Sequence, residues 1–181
     1  MNDEAVIDRT RRWIANVVIG LNLCPFARRV FEAGAIRYVV SKAADDRALL
    51  ADLTAELRTL VSTPIETVET TLLIHPNALG DFLDDNDFLG DADECVADLG
   101  LEGVVQIASF HPSYRFAESR ADDVENYTNR SPYPMLHLLR EASVSAVSGD
   151  AEEMAKIPLR NVETLRRLGV ERLLELGERG M

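Results

Sequence analysis

Two short apolar segments that each end in His-Pro constrain the fold of this chain more than any other feature. Residues 67–74 are β-branched at first and wholly apolar at the end, and His75-Pro76 stops them. Residues 104–110 have the same character and are stopped by His111-Pro112. Such runs, bounded by proline, are typical of buried strands. A helical pattern lies between them, so the order predicts right-handed crossovers between parallel strands.

Helical and extended patterns alternate along the rest of the chain. Apolar residues at three- and four-residue spacing predict helices, and a β-branched run predicts a further strand. That strand covers 36–41, a short edge strand suits 114–116, and the helices cover 3–22, 25–32, 46–61, 78–99, 121–129, 132–147 and 151–177. We therefore expect an α/β fold with a small, mainly parallel sheet of three or four strands. Helices pack on that sheet, and the C-terminal third is helical.

The length and the charge limit the domain count and the partners. A chain of 181 residues with 46% hydrophobic content suffices for one domain, which we expect to span residues 1–181. Acidic residues number 31 against 19 basic ones, for a net charge of −12. A field of that sign repels phosphate backbones and anionic membranes, so we expect neither nucleic acid nor a membrane as partner. A small anionic ligand would need a local basic pocket.

The cysteines and the N-terminal region favour a reducing, cytoplasmic setting. Cys24 and Cys95 form no CxxC pair, which excludes a zinc ribbon or a thioredoxin-type motif. Three acidic residues precede the apolar stretch 13–23, where a signal peptide requires positive charge. No apolar run reaches the ~18 residues that a membrane-spanning helix needs.

The ends of the two strands predict where a site lies. If the strands are parallel, His75 and His111 lie on the same carboxyl edge of the sheet, where open α/β sheets bind their ligands. Imidazole titrates near neutral pH and suits general acid–base chemistry. The alternative is that both histidines end the strands by bonding to loop carbonyls.

Cys24 is the candidate nucleophile. It precedes Pro25, which suits the first position of a helix, so Cys24 would be the N-cap residue. The helix dipole, free N–H groups and the nearby Arg28 and Arg29 would stabilise a thiolate that acts as nucleophile or metal ligand. The alternative is a buried, inert cysteine between two apolar neighbours.

The segment 128–134 predicts a site for an anion. Ser131 as N-cap and Pro132 as first helical residue would start a helix, and helix N-termini bind carboxylates and phosphates. Arg115 and Arg130 add positive charge, although Arg130 could instead pair with a local acid. A substrate-binding role is assigned to His75, Arg115, Asn129, Arg130, Tyr133 and His137, although a lone histidine such as His137 is more often part of a core.

A run of acidic residues between 81 and 94 predicts a solvated helix face. A calcium loop that begins at Asp85 would place Leu89 and Val96 at ligand positions, so the calcium pattern fails. The acidic residues are Asp81, Asp84, Asp85, Asp87, Asp91, Asp93 and Glu94.

These features support several functions. The leading hypothesis is a small-molecule enzyme in which Cys24 acts as nucleophile or redox thiol, His111 is its base, and Arg115, Asn129 and Arg130 hold an anionic substrate. This requires Cys24 and His111 to approach within hydrogen-bond range. The alternatives are a metal-binding protein with histidine and cysteine ligands, a non-catalytic module for an anionic metabolite, and motifs that only cap and pack the fold. The spacing demands no metal, and the sequence leaves the cofactor unknown.

Four groups of motifs resemble the domain of unknown function family numbered 1415. They are Asn22-Leu23-Cys24-Pro25-Phe26; Ala108-Ser109-Phe110-His111-Pro112; Asn129-Arg130-Ser131-Pro132-Tyr133-Pro134 with 136–141; and Arg160-Asn161 with Thr164-Leu165. The resemblance covers roughly residues 8–169. It implies a small cytoplasmic bacterial protein and supplies no activity, so no catalytic residue can be carried over.

Overall fold

The computed structural model describes residues 2–147 and 151–178, in which four strands form one sheet with helices on both faces. Across the sheet the strands are β1 (Ile36–Val40), β2 (Thr70–Ile74), β4 (Met135–Arg140) and β3 (Val105–Phe110). β1 pairs in parallel with β2, whereas β4 pairs antiparallel with both β2 and β3. The expectation of a mainly parallel sheet is therefore wrong, although β1, β2 and β3 run in the same direction.

β4 replaces the first part of the helix expected over 132–147. Ser131 and the proline after it resemble a helix start, but the Ser131 hydroxyl donates a hydrogen bond to the carbonyl of Tyr133, 2.6 Å away. Leu136 and Leu138 are completely buried in the central strand that follows. Each such burial contributes about 1.5–3 kcal/mol, whereas helix propensities differ by less than about 1 kcal/mol per residue. Tertiary burial therefore decides the conformation.

The other helices follow the spacing of apolar residues closely. They are α1 (Asp3–Trp13), α2 (Ala27–Glu32), α3 (Asp46–Ser62), α4 (Phe82–Asp98), α5 (Glu141–Val147), α6 (Ala151–Leu168) and α7 (Val170–Glu178). A 3-10 helix at Val124–Thr128 replaces the helix expected over 121–129, and residues 114–116 are irregular rather than an edge strand. None of the described helices is long and apolar enough to cross a membrane.

The alternation of side chains along the strands divides the core into two layers. Leu73, Leu136 and Leu138 point towards α3 and α4 and pack in one buried cluster. Leu72 and Ile74, their neighbours on β2, point to the opposite face and pack against α1. We refer to the face that carries Leu73, Leu136 and Leu138 as the α4 face of the sheet, and to the face that carries Leu72 and Ile74 as the α1 face.

α1 continues without a break into a π-helix at Ile14–Ile19, which packs on the α1 face. π-helices are rare and occur mostly as short insertions, often near functional sites. Gly20 follows the π-helix, and a Cβ atom there would lie 2.2 Å from the carbonyl oxygen of Asn16. The close turn therefore requires glycine at this position.

We predict that Gly20→Ala lowers the free energy of unfolding by about 1–3 kcal/mol, because the added methyl group overlaps the Asn16 carbonyl. Gly90→Ala is the matched control, since Gly90 lies exposed within α4 with no atom within 4 Å of an added Cβ. Alanine there should raise the free energy of unfolding by about 0.5–1 kcal/mol. Urea denaturation followed by circular dichroism measures both; equal effects of the two changes would contradict the tight turn at Gly20.

Candidate functional site

A cavity of about 350 Å3 lies on the α1 face of the sheet. Its walls are predominantly apolar and include Trp13, Ile14, Leu72, Ala108 and Phe110, which define what we call the α1-face cavity. The rings of Trp13 and Phe110 meet edge to face, with their centroids 5.4 Å apart. The volume falls within the range of small-molecule sites, which are concave and mostly apolar.

The Cys24 thiol lines this cavity from the loop between the π-helix and α2. Cys24 is not the N-cap of α2, because that helix begins at Ala27 and its N-cap is Phe26. Burial raises the pKa of the thiol above its ordinary value, and hydrogen bonds with the backbone of Phe26 and Ala27 offset only part of that rise. The thiol is therefore protonated at neutral pH, and the expected activated thiolate is not supported.

His137 lies on the same wall, opposite Ala108 in the pairing of β3 and β4. Its Nε2 is 2.7 Å from the Thr70 hydroxyl, which donates its hydrogen to the carbonyl of Leu138 at 2.6 Å. Nε2 must then be the donor to Thr70, which leaves Nδ1 as an unprotonated acceptor. Burial lowers the pKa of His137 to about 4, so the ring is neutral at physiological pH.

His111 faces the other side of the sheet, where its ring lies 5.7 Å from that of Phe82 at the start of α4. Nδ1 accepts a hydrogen bond from the Ser113 N–H at 3.0 Å, so Nε2 carries the proton and donates to the Leu79 carbonyl at 3.2 Å. Leu79 has a φ of 52°, a strained conformation for leucine that this bond helps to hold. Both ring nitrogens of His111 therefore stabilise the loops that contain Leu79 and Ser113.

The structure does not bring Cys24 and His111 together. Cys24 lines the α1-face cavity, whereas His111 contacts Phe82 of α4 and Leu79 just before that helix, on the opposite face. Burial also lowers the pKa of His111, and neither of its nitrogens is free to accept a proton from a thiol. Among the described residues, no three histidine, cysteine, aspartate or glutamate side chains are grouped to hold a metal ion.

His75 does lie at the same edge of the sheet as His111, as the strand directions predict. Its Nδ1 donates to the Ala78 carbonyl at 3.2 Å, so Nε2 is an acceptor. Nε2 lies 3.7 Å from Oδ1 of Asp85, and both side chains are completely buried. Neither Nε2 nor the two Asp85 oxygens has a hydrogen-bond partner among the described residues.

Asp85 and His75 form a net-neutral pair. Burial lowers the pKa of His75 to about 4 and raises the pKa of Asp85 to about 7, because water no longer solvates either charged form. At weakly acid pH the folded pair therefore holds one proton, which lies on the Asp85 carboxyl group. In the unfolded chain the two side chains also hold one proton, but it lies on the His75 imidazole. His111 and Tyr114 are the other titratable groups that influence this pair.

The expected anion site over 128–134 is organised differently. Arg130 donates to the carbonyls of Tyr114 and Ala121 at 3.1 and 2.7 Å and lies 4.5 Å from the ring centroid of Tyr127. No helix begins at Ser131, so the expected helix dipole is absent. Through these contacts Arg130 stabilises the conformation of the loop between β3 and β4.

The remaining expected site residues lie around that loop. Arg115 is exposed, the Asn129 carbonyl accepts from the His111 N–H at 3.2 Å, and the ring of Tyr133 lies 5.6 Å from the Arg9 guanidinium. Arg9 and Arg130 line a second cavity of about 260 Å3 beneath α7. None of these residues reaches the α1-face cavity, in which His137 alone of the expected binding residues lies with Cys24.

A family model described as a protein of unknown function, DUF1415, matches residues 5–175, nearly the whole chain. The chain belongs to this family. The match confirms the resemblance of the motifs around Cys24, His111 and Arg130. No curated protein and no solved structure matches the chain. The DUF1415 description names no activity, so function is argued from the site.

Asp85 is the informative buried residue that the acidic pattern conceals. Asp85 was assigned to a solvated face, but it is completely buried, whereas the other acidic residues of that run are exposed. Its spacing from Phe88 and Ala92 places it on the buried stripe of α4, which was a usable signal.

The His75–Asp85 pair predicts opposite pH dependences for two variants. In Asp85→Asn, His75 alone keeps its lowered pKa, so stability is lost as pH falls from 6.5 towards 4. In His75→Gln, Asp85 alone keeps its raised pKa, so stability is lost as pH rises from about 4 to about 7. Each slope should approach about 1.4 kcal/mol per pH unit.

The midpoints of urea denaturation, measured from pH 4 to 7.5, test these opposite pH dependences. Each variant is compared with the unchanged protein. In the latter the two contributions cancel between about pH 4 and 6.5, and the lowered pKa of His111 contributes to the pH dependence of all three proteins. Slopes of the same sign in both variants would show that the pair does not share one proton.

Proposed function

We propose that this protein binds a small, predominantly apolar molecule in the α1-face cavity. The observation that carries the proposal is the concave, predominantly apolar volume of about 350 Å3 that Trp13, Leu72 and Phe110 help to line. Protein interiors are close-packed, with few voids larger than a water molecule. A ligand that covers these apolar walls removes them from water, which contributes about 25 cal/mol for each Å2 of apolar surface.

Two polar groups in the wall, Cys24 and His137, favour an uncharged ligand surface beside them. Cys24 is a protonated thiol and His137 a neutral imidazole, because burial disfavours their charged forms. The Thr70 hydroxyl is already satisfied by its bonds with His137 and Leu138. The thiol hydrogen and His137 Nδ1 therefore offer one weak donor and one acceptor to orient a bound molecule.

A binding role agrees better with these contacts than catalysis by Cys24 and His111. The Cys24 thiol has a raised pKa and is not activated as a nucleophile. Both ring nitrogens of His111 form hydrogen bonds, one with the Leu79 carbonyl and one with the Ser113 N–H. A general base must reach the proton that it abstracts, and His111 belongs to the opposite face of the sheet. The metal alternative has no grouped ligand set among the described residues to support it.

Binding of the neutral apolar dye N-phenyl-1-naphthylamine tests the proposal. Trp13 is the only tryptophan of the chain and lines the cavity, so a bound dye should quench its fluorescence by energy transfer. Ala108→Leu extends a side chain into the cavity and should weaken dye binding at least about tenfold, which corresponds to about 1.4 kcal/mol. Its thermal midpoint should not fall, because the added methyl groups fill empty space.

Ala51→Leu is the matched control, since it makes the same change at an exposed position of α3. It should leave dye binding unchanged. The proposal fails if the unchanged protein shows no saturable binding, or if Ala108→Leu binds the dye as tightly as Ala51→Leu.

A further inference from the structure

The alternation of side chains places two polar groups, those of His137 and Gln106, on the α1 face of the sheet. His137 is two residues from Met135 on β4, so these two side chains share a face. Gln106 shares a face of β3 with Phe110, because an even number of residues separates them. Met135 and Phe110 pack in the cluster on the α1 face. The two polar side chains therefore point to that face, where both residues line the α1-face cavity.

The imidazole of His137 is held in one orientation. Its Nε2 donates to the Thr70 hydroxyl at 2.7 Å, and its ring centroid lies 6.2 Å from that of Phe110. Nδ1 forms no hydrogen bond with another described residue and is not one of the fully buried unpaired atoms, so it is accessible from the cavity. Burial lowers the pKa of the ring to about 4, so Nδ1 stays an acceptor at neutral pH. The cavity wall thus holds a fixed acceptor that lacks a donor.

Gln106 provides a donor beside that acceptor. The residue opposite His137 is Ala108, and Gln106 lies two residues before it, so Gln106 is a diagonal neighbour of His137. Residues in such a diagonal pair are about 7–8 Å apart, within reach of long side chains. In the part of the chain that the structure describes, the half-buried Gln106 amide has no hydrogen-bond partner. One small group of a ligand can therefore bond to both side chains.

We propose that the ligand of the α1-face cavity is an apolar molecule with an uncharged hydroxyl group, bound through that hydroxyl to His137 Nδ1 and the Gln106 amide. This inference rests on the proposed function and adds the chemical class of the ligand. The hydroxyl donates its hydrogen to Nδ1, and its oxygen accepts a hydrogen bond from the amide N–H of Gln106. The apolar body lies against Leu72 and Phe110, which line the same cavity.

Other oxygen-containing groups fit this pair of side chains less well. An ether or a ketone has no hydrogen to donate, so it would cover His137 Nδ1 and leave it unpaired, which weakens binding. An ionised carboxylate also lacks a hydrogen, and it would lose its hydration among predominantly apolar walls. A hydroxyl is the smallest neutral group that both donates and accepts.

Displacement of the neutral dye by octan-1-ol, 1-methoxyheptane and octanoate tests the inference. The alcohol and the ether are isomers of the same chain length, so the ratio of their affinities isolates the O–H group. Octan-1-ol should bind at least about tenfold more tightly than 1-methoxyheptane and than octanoate. Equal affinities of alcohol and ether, or tighter binding of octanoate, would overturn the hydroxyl assignment and leave the apolar site intact.

Two variants locate the hydroxyl. Gln106→Met keeps the length of the side chain but removes its polar atoms, and should reduce the preference for the alcohol over the ether several-fold. Ile107→Met is the matched control, because it places the same side chain on the α4 face of the same strand and should leave the preference unchanged. His137→Phe should abolish the preference, while the Thr70 hydroxyl keeps its bond to the Leu138 carbonyl. Thermal melting verifies that each variant is folded.

The outcomes separate the two proposals. If the dye binds and no probe displaces it, or if Gln106→Met and Ile107→Met show the same preference for the alcohol, the hydroxyl assignment is wrong. If neither the dye nor any probe binds, the proposed function fails as well.

Discussion

The pairing of β4 with β2 and β3 at once is the interaction on which the rest of the structure depends. β2 and β3 run in the same direction, and β4 lies between them, runs the opposite way and forms hydrogen bonds with both. Leu136 and Leu138 fill the α4 face, whereas His137 lines the cavity on the other face. The ends of the neighbouring strands are fixed to the chain just before β4, through hydrogen bonds from His75 N–H to Pro134 O and His111 N–H to Asn129 O.

The two faces of the sheet differ in how closely the helices pack against them. On the α4 face, leucines of α3 such as Leu49, Leu53 and Leu57 are completely buried in a continuous cluster. On the α1 face, the π-helix supplies Ile14 and part of the cavity wall, and the space between helix and sheet remains open. Close packing is the rule for protein interiors, so this departure is the reason for proposing a ligand site on the α1 face.

Much of this architecture was predictable from the sequence. The apolar spacing identified most helices, and the two His-Pro segments identified β2 and β3 and their common direction. The placement of His75 and His111 at one edge was right, although a third strand lies between them and their side chains serve the loops. Those loop bonds are local and follow from the position of each histidine at a strand end.

The errors have two physical origins. The β4 sequence 135–140 is a short apolar run buried on both faces, so periodicity cannot distinguish it from a buried helix segment. That error concealed the antiparallel pairing. For Cys24 the sequence favours a stabilised thiolate, with a buried, inert thiol as the alternative, and for Asp85 it predicts a solvated position; the tertiary structure buries both groups and disfavours their ionised forms.

The most direct test of the central claim is a crystal structure of the protein pressurised with xenon. Xenon occupies empty apolar cavities in proteins, so electron density for it is predicted between Trp13, Leu72 and Phe110, where the α1-face cavity lies. A crystal structure in which side chains fill that space, with no xenon there, would contradict a ligand site on the α1 face.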